Sequence, residues 1–156
     1  MAKRHDSRTS AEIPADAVER LQASNRAWHR GDIDGAIAVY SDEIEWDTRD
    51  AFPDGRVYRG RDAFRAYGEE VLDRWSDEHR LEIEEILGVE GTATVVVRFR
   101  MTGRSQSGVP IDTPWVHVLD FDRGEVVRAR NFGSFDAAME YVRPVKLSTL
   151  WARAPD

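Results

Sequence analysis

From Thr92 to Val142 the chain alternates apolar and polar positions in three long runs, TATVVVRFRMTGR, IDTPWVHVLDF and EVVRARNF, followed by the short helical segment FDAAMEYV. A period of two over eight or more residues predicts β-strands with one face toward a core. In the middle run, Trp115, His117, Leu119 and Phe121 share a face, so an imidazole stands in an apolar row. Upstream the period changes. Pro14 suits a first helical turn, and Val18, Leu21, Asn25 and Trp28 recur at helical spacing until Gly31, the residue type that ends helices in a left-handed conformation. Asp32 can cap a second, shorter helix carrying Ile33, Ile37 and Tyr40. A short strand follows over Glu43–Thr48, with Ile44, Trp46 and Thr48 on one face, and Phe52-Pro53-Asp54-Gly55 is turn chemistry.

Asp62 opens a third helix, on which Phe64, Tyr67, Val71 and Trp75 repeat at about one turn. Leu81–Leu87 reads as a strand whose alternation fails at Glu85 and Ile86, the mark of a bulge. The order of helices, strand, helix, four strands and helix predicts an α+β fold with segregated layers. Residues 1–12 read as a flexible lead-in, 13–143 as one domain, and 144–156 as a tail without a clear period. Within that tail Leu147, Leu150 and Trp151 suggest docking on the body or on a neighbour.

Composition narrows the function classes. A chain of 156 residues can bury one substantial core. It contains no Cys, which excludes disulfides, thiolate metal sites and cysteine nucleophiles. The net charge of −7 and the absence of a basic face argue against nucleic acid. No stretch has the length of a membrane span and no signal core precedes the domain, so the expectation is no membrane and a cytoplasmic protein. His5, His29, His79 and His117 are far apart in sequence and lack metal-ligand spacing, so no metal is expected. Phosphate loops, dinucleotide fingerprints and nucleophile elbows are missing too, so any chemistry would be proton transfer without a cofactor.

The order of elements, together with IEWDTRDAFPDGRVYRGRDAF, SGVPIDTPWVHVLDFDRGEVVRARNF and the closing helix, resembles the SnoaL-like branch of the NTF2-like superfamily over about residues 14 to 142. That resemblance implies a cone: a strongly curved antiparallel sheet wrapped around N-terminal helices, a pocket between them, and a homodimer through the outer face of the sheet. Ketosteroid isomerases carry a carboxylate base where Thr48 stands here, with Asp47 one residue away, and a hydrogen-bond-donating Asp where His117 stands. Polyketide cyclases use a His and an Asp at positions similar to His117 and Asn131. The strand arginine of limonene-type epoxide hydrolases corresponds to Arg98.

On this reading His117 is base or donor, Arg98 an anion clamp and Asp47 a base at the mouth. Asn131, Thr48, Trp28, Trp46, Tyr58 and Trp115 form the substrate-binding wall. An amide at Asn131 orients and donates but does not accept a proton. Alternatives stay open at each position: His117 as a core histidine satisfied by a carbonyl or by Asp47, Arg98 as a solvated or subunit-facing arginine, the aromatic set as plain core, and Asp47 as a solvated carboxylate. Three readings remain: a pocket for an apolar carbonyl-bearing molecule with isomerase, cyclase or lyase chemistry, a ligand-binding or assembly module without chemistry, and an accessory domain for another protein, for which Leu147 to Trp151 would supply the apolar patch. A cup plugged by Trp46, Trp115 and the tail would favour the second.

Overall fold

A computed structural model describes residues 12–74, 78–144 and 146–155. The lead-in up to residue 11 and Trp75 lie outside the described residues. Helix α1 (Ala17–His29) ends as its sequence predicts, with Arg30 at the C-cap and Gly31 at φ +75°. Asp32 accepts the backbone N–H of Gly35 at 3.0 Å and so starts α2 (Ile33–Ile37). Tyr40 does not continue that helix. It opens strand β1 (Tyr40–Asp47), and a three-residue strand β2 (Val57–Arg59) pairs antiparallel with it across the Phe52–Gly55 turn. Then come α3 (Arg61–Arg74), β3 (Arg80–Val89), β4 (Thr94–Arg104), β5 (Pro110–Asp122), β6 (Glu125–Phe132), α4 (Phe135–Val142) and β7 (Leu147–Ala152).

The strands form one open, curved seven-stranded sheet in the order β2-β1-β6-β5-β4-β3-β7. It is antiparallel except for β1, which runs parallel to β6. The register of β3 against β4 slips between Ile83 and Glu85, where the alternation of the sequence fails. A second slip, between Asp120 and Phe121, bends β5 against β6. Such extra residues increase local twist and coil the sheet.

The sheet is buried on both faces. Ile44, Trp46, Val95, Val97, Phe99, Leu119 and Ala129 meet α1, α2 and α3 on the concave side. Val96, Val116, Val118 and Phe132 meet Ala138 and its neighbours from α4 on the convex side. The serine ahead of α4 caps it, Ser134 Oγ accepting the Ala137 N–H at 3.1 Å. The tail is a strand, not a plug: β7 pairs antiparallel with the edge of β3. Trp151 packs toward the concave core, Leu147 toward the convex cluster, and Leu150 is exposed.

Candidate functional site

Between the helices and the concave sheet lies a cavity of about 490 Å³, open to solvent on one side and walled largely by aromatic and aliphatic side chains. Its sheet wall carries a polar row set by strand register. His117 on β5 lies opposite Val97 on β4 and Asn131 on β6. Thr48, one residue past β1, also lines the cavity. All three polar residues are nearly inaccessible: Asn131 and Thr48 are 1% exposed and His117 is 8% exposed.

His117 is held by rings. The Phe99 centroid lies 4.7 Å from the imidazole and Trp46 meets it edge-on at 5.1 Å. Trp115, two residues back on the same strand face, donates its indole N–H to His117 Nε2 at 2.9 Å. The partner is this indole, not the carbonyl or Asp47 of the alternative reading. An indole N–H only donates, so Nε2 must carry the lone pair and the proton of the neutral ring sits on Nδ1. Burial pushes the His117 pKa down to about 3, so near pH 7 the ring is neutral. Nδ1 finds no hydrogen-bond partner among the described residues. The arrangement is a neutral N–H donor on the wall of the cup with its basic nitrogen already occupied.

The rest of the wall differs in how its polar atoms are used. Thr48 Oγ1 donates to the Arg56 carbonyl at 3.1 Å and accepts the Arg56 N–H at 3.0 Å, so its hydroxyl pins the loop between β1 and β2. Asn131 Oδ1 has no partner among the described residues, nor do the indole N–H groups of Trp28 and Trp46. The Tyr58 ring lies tilted against Tyr67, with centroids 4.7 Å apart, and the Arg56 guanidinium is 5.1 Å from its ring centre. Burial raises the pKa values of Tyr40 and Tyr67, leaving both phenols neutral.

Two of the expected catalytic residues face the other way. Arg98 alternates with Val97 and Phe99, so it emerges on the convex side, where its guanidinium lies 4.2 Å from the Phe135 ring centre and 3.4 Å from Glu85. Asp47 alternates with Trp46. It is bound by Arg49 at 2.8 Å and Arg130 at 3.3 Å, and the hydrogen bonds from Arg49 hold its pKa below the usual carboxylate range. Neither lines the cup.

Sequence reasoning assigned no role to several groups that do line it. Asn25 shares the helical face of Trp28, and that spacing was the available signal. Asp54 and Glu70 are exposed carboxylates on the rim, and nothing in their local pattern marks them. His79, whose pKa burial lowers to about 4, enters from the turn before β3. Among the described residues no group of three or more His, Cys, Asp or Glu stands together as a metal site, and no helix is long and apolar enough to cross a membrane.

A family model described as the SnoaL-like domain matches residues 21–129. No functionally curated protein matches the chain. Solved structures do. One is an NTF2-like protein of unknown function from Burkholderia pseudomallei, with 22% identity, TM-score 0.67, and coverage of 81% of this chain and 97% of that one. Another is described as a putative SnoaL-like polyketide cyclase from Jannaschia sp., with 21% identity, TM-score 0.65, and coverage of 83% and 92%. A third, TerC crystallised with polyporic acid, shares 19% identity at TM-score 0.64, with coverage of 81% and 97%.

Proposed function

The chain belongs to the SnoaL-like domain family, and we propose that its cup binds a small, mainly apolar molecule through a carbonyl or similar oxygen that accepts from His117 Nδ1–H. The observation that carries this reading is the Trp115 N–H on His117 Nε2, which leaves the imidazole one free function, donation. Asn131 stands beside it on the neighbouring strand to orient the same end of the guest. Trp28, Trp46, Tyr58 and Trp115 supply a largely apolar wall, beside which a hydrogen bond to an oxygen is stronger than in bulk water. The similar structure of TerC was co-crystallised with polyporic acid, which supports a small organic guest for this cup.

The test uses 2-acetylnaphthalene with a 13C carbonyl. Bound to the wild type, its carbonyl resonance moves downfield, as a hydrogen-bonded ketone does. His117→Phe keeps an aromatic ring of similar size, loses that shift and binds roughly five- to tenfold more weakly, the worth of one hydrogen bond. No binding, or equal shift and affinity in the two proteins, sinks the proposal.

A second reading, proton transfer next to that carbonyl, is favoured by Asp54 and Glu70, the carboxylates on the rim of the cup. One of them would take a proton from the carbon beside the carbonyl. The electron pair would move onto oxygen as an enolate held by His117 Nδ1–H. Exchange of the probe's methyl protons in D2O, abolished by Glu70→Gln or Asp54→Asn, reads this directly; unchanged exchange in both variants removes the reading. The homodimer implied by the resemblance would use the convex surface that α4 leaves open, around Arg100, Asp120 and Arg128. Sedimentation equilibrium decides it, and a monomer at every concentration excludes it.

A further inference from the structure

Outside the cup, a groove of about 570 Å³ runs between α1 and the β3–β7 edge of the sheet, and side chains from all three elements line it. Arg26 and His29 come from α1, Arg80 and Glu82 from β3, and Trp151 and Arg153 from the region of β7. Glu82 is committed to Arg153, at 3.0 Å. Arg26 and Arg80 have no carboxylate partner among the described residues. In a chain of net charge −7, most of whose described arginines stand against an acidic group, that is a local excess of positive charge among the described residues. At His29, burial lowers the pKa, the nearby Arg80 charge lowers it further, and Glu82 opposes. The His29 ring is also fixed, because Nε2 accepts the Leu81 N–H at 3.0 Å and the proton of the neutral ring is therefore on Nδ1.

We propose that this groove is a second binding site, for a planar aromatic carboxylate. Guanidinium forks match the two oxygens of a carboxylate, and the half-buried Trp151 indole offers a flat apolar surface to the ring that carries it. A phosphate would use the charge but leave the indole without a role. The groove shares only Asn25 and Ile83 with the cup, so an anion here sits beside the cup's guest without competing for His117. The site is independent of the proposed function of the cup.

The experiment titrates the 15N-labelled full chain with benzoate at low ionic strength, against sodium chloride at equal concentration. The His29 imidazole and the Trp151 indole resonances shift saturably, and the titration midpoint of His29 rises in the complex because the bound carboxylate offsets Arg80 and favours the imidazolium. Arg26→Gln and Arg80→Gln each weaken benzoate roughly tenfold and leave 2-acetylnaphthalene binding as in the wild type. Shifts that do not saturate, shifts confined to Trp115 and His117, or inorganic phosphate binding as tightly as benzoate would each overturn the proposal.

Discussion

Replacing His117 by glutamine removes one proton from the acid side of the stability curve. In the folded protein the imidazole has a pKa of about 3, because burial disfavours its cation. In the unfolded chain it returns to about 6.5. Between these values the unfolded state binds the proton and the folded state does not, so stability is complete above about pH 6.5 and drains away as pH falls toward 3. For one such group the linkage relation gives a loss of about 2 kcal/mol between pH 7 and pH 5. Any folded pKa below about 4 gives nearly the same figure over that window, so the prediction rests on burial and not on the last unit of the shift. The assay is urea unfolding of wild type and His117→Gln at pH 7, 6 and 5. His29 and His79, whose pKa values are also lowered, titrate in both proteins and cancel in the difference. The wild type should lose about 2 kcal/mol relative to the variant on going to pH 5. A difference that stays constant to within about 0.5 kcal/mol would mean that the folded ring titrates normally, and the buried neutral imidazole would be refuted.

Three further substitutions test neighbouring parts of the account. Trp115→Phe leaves His117 Nε2 buried without a donor, so urea unfolding at pH 7 should show a loss of about 1–3 kcal/mol beyond the lost ring volume, and the imidazole proton becomes free to exchange between nitrogens. Asn131→Leu removes an amide whose oxygen has no partner among the described residues, so stability should hold or rise by about 1 kcal/mol while affinity for 2-acetylnaphthalene falls, as expected where function retains an unsatisfied polar group. Arg98→Ala removes a half-exposed contact with Phe135 and Glu85 on the convex side. It should change stability by less than about 1 kcal/mol and leave probe binding within twofold, whereas a large loss of affinity would return Arg98 to the cup.

Much of this architecture is legible in the chain because local rules and tertiary packing agree. Gly31, Asp32 and the broken alternation at Glu85 each mark a boundary or bulge found in the fold, and the row Trp115, His117, Leu119 and Phe121 faces the helices as its period requires. The face of Arg98 was harder to read. Val95, Val96 and Val97 are all buried, since helices cover both sides of the sheet, so alternation shows that Arg98 opposes Phe99 but not which side holds the cup. β2 is too short to show a period, and β7 is an edge strand paired on one side only, so packing imposes no clean alternation on LSTLWA. The Trp115–His117 bond was available in principle, because residues two apart on a strand share a face and an indole can only donate. Asp54, Glu70 and His79 reach the cup from loops and helix positions whose placement depends on long-range packing, which no local pattern records.

The donor assignment of His117 is tested most directly by the 15N shifts of its ring, from long-range 1H–15N correlation between pH 5 and 8. A protonated, pyrrole-type Nδ1 and a pyridine-type Nε2 that do not titrate across this range are the predicted result. A proton on Nε2, or a midpoint near 6.5, would contradict it.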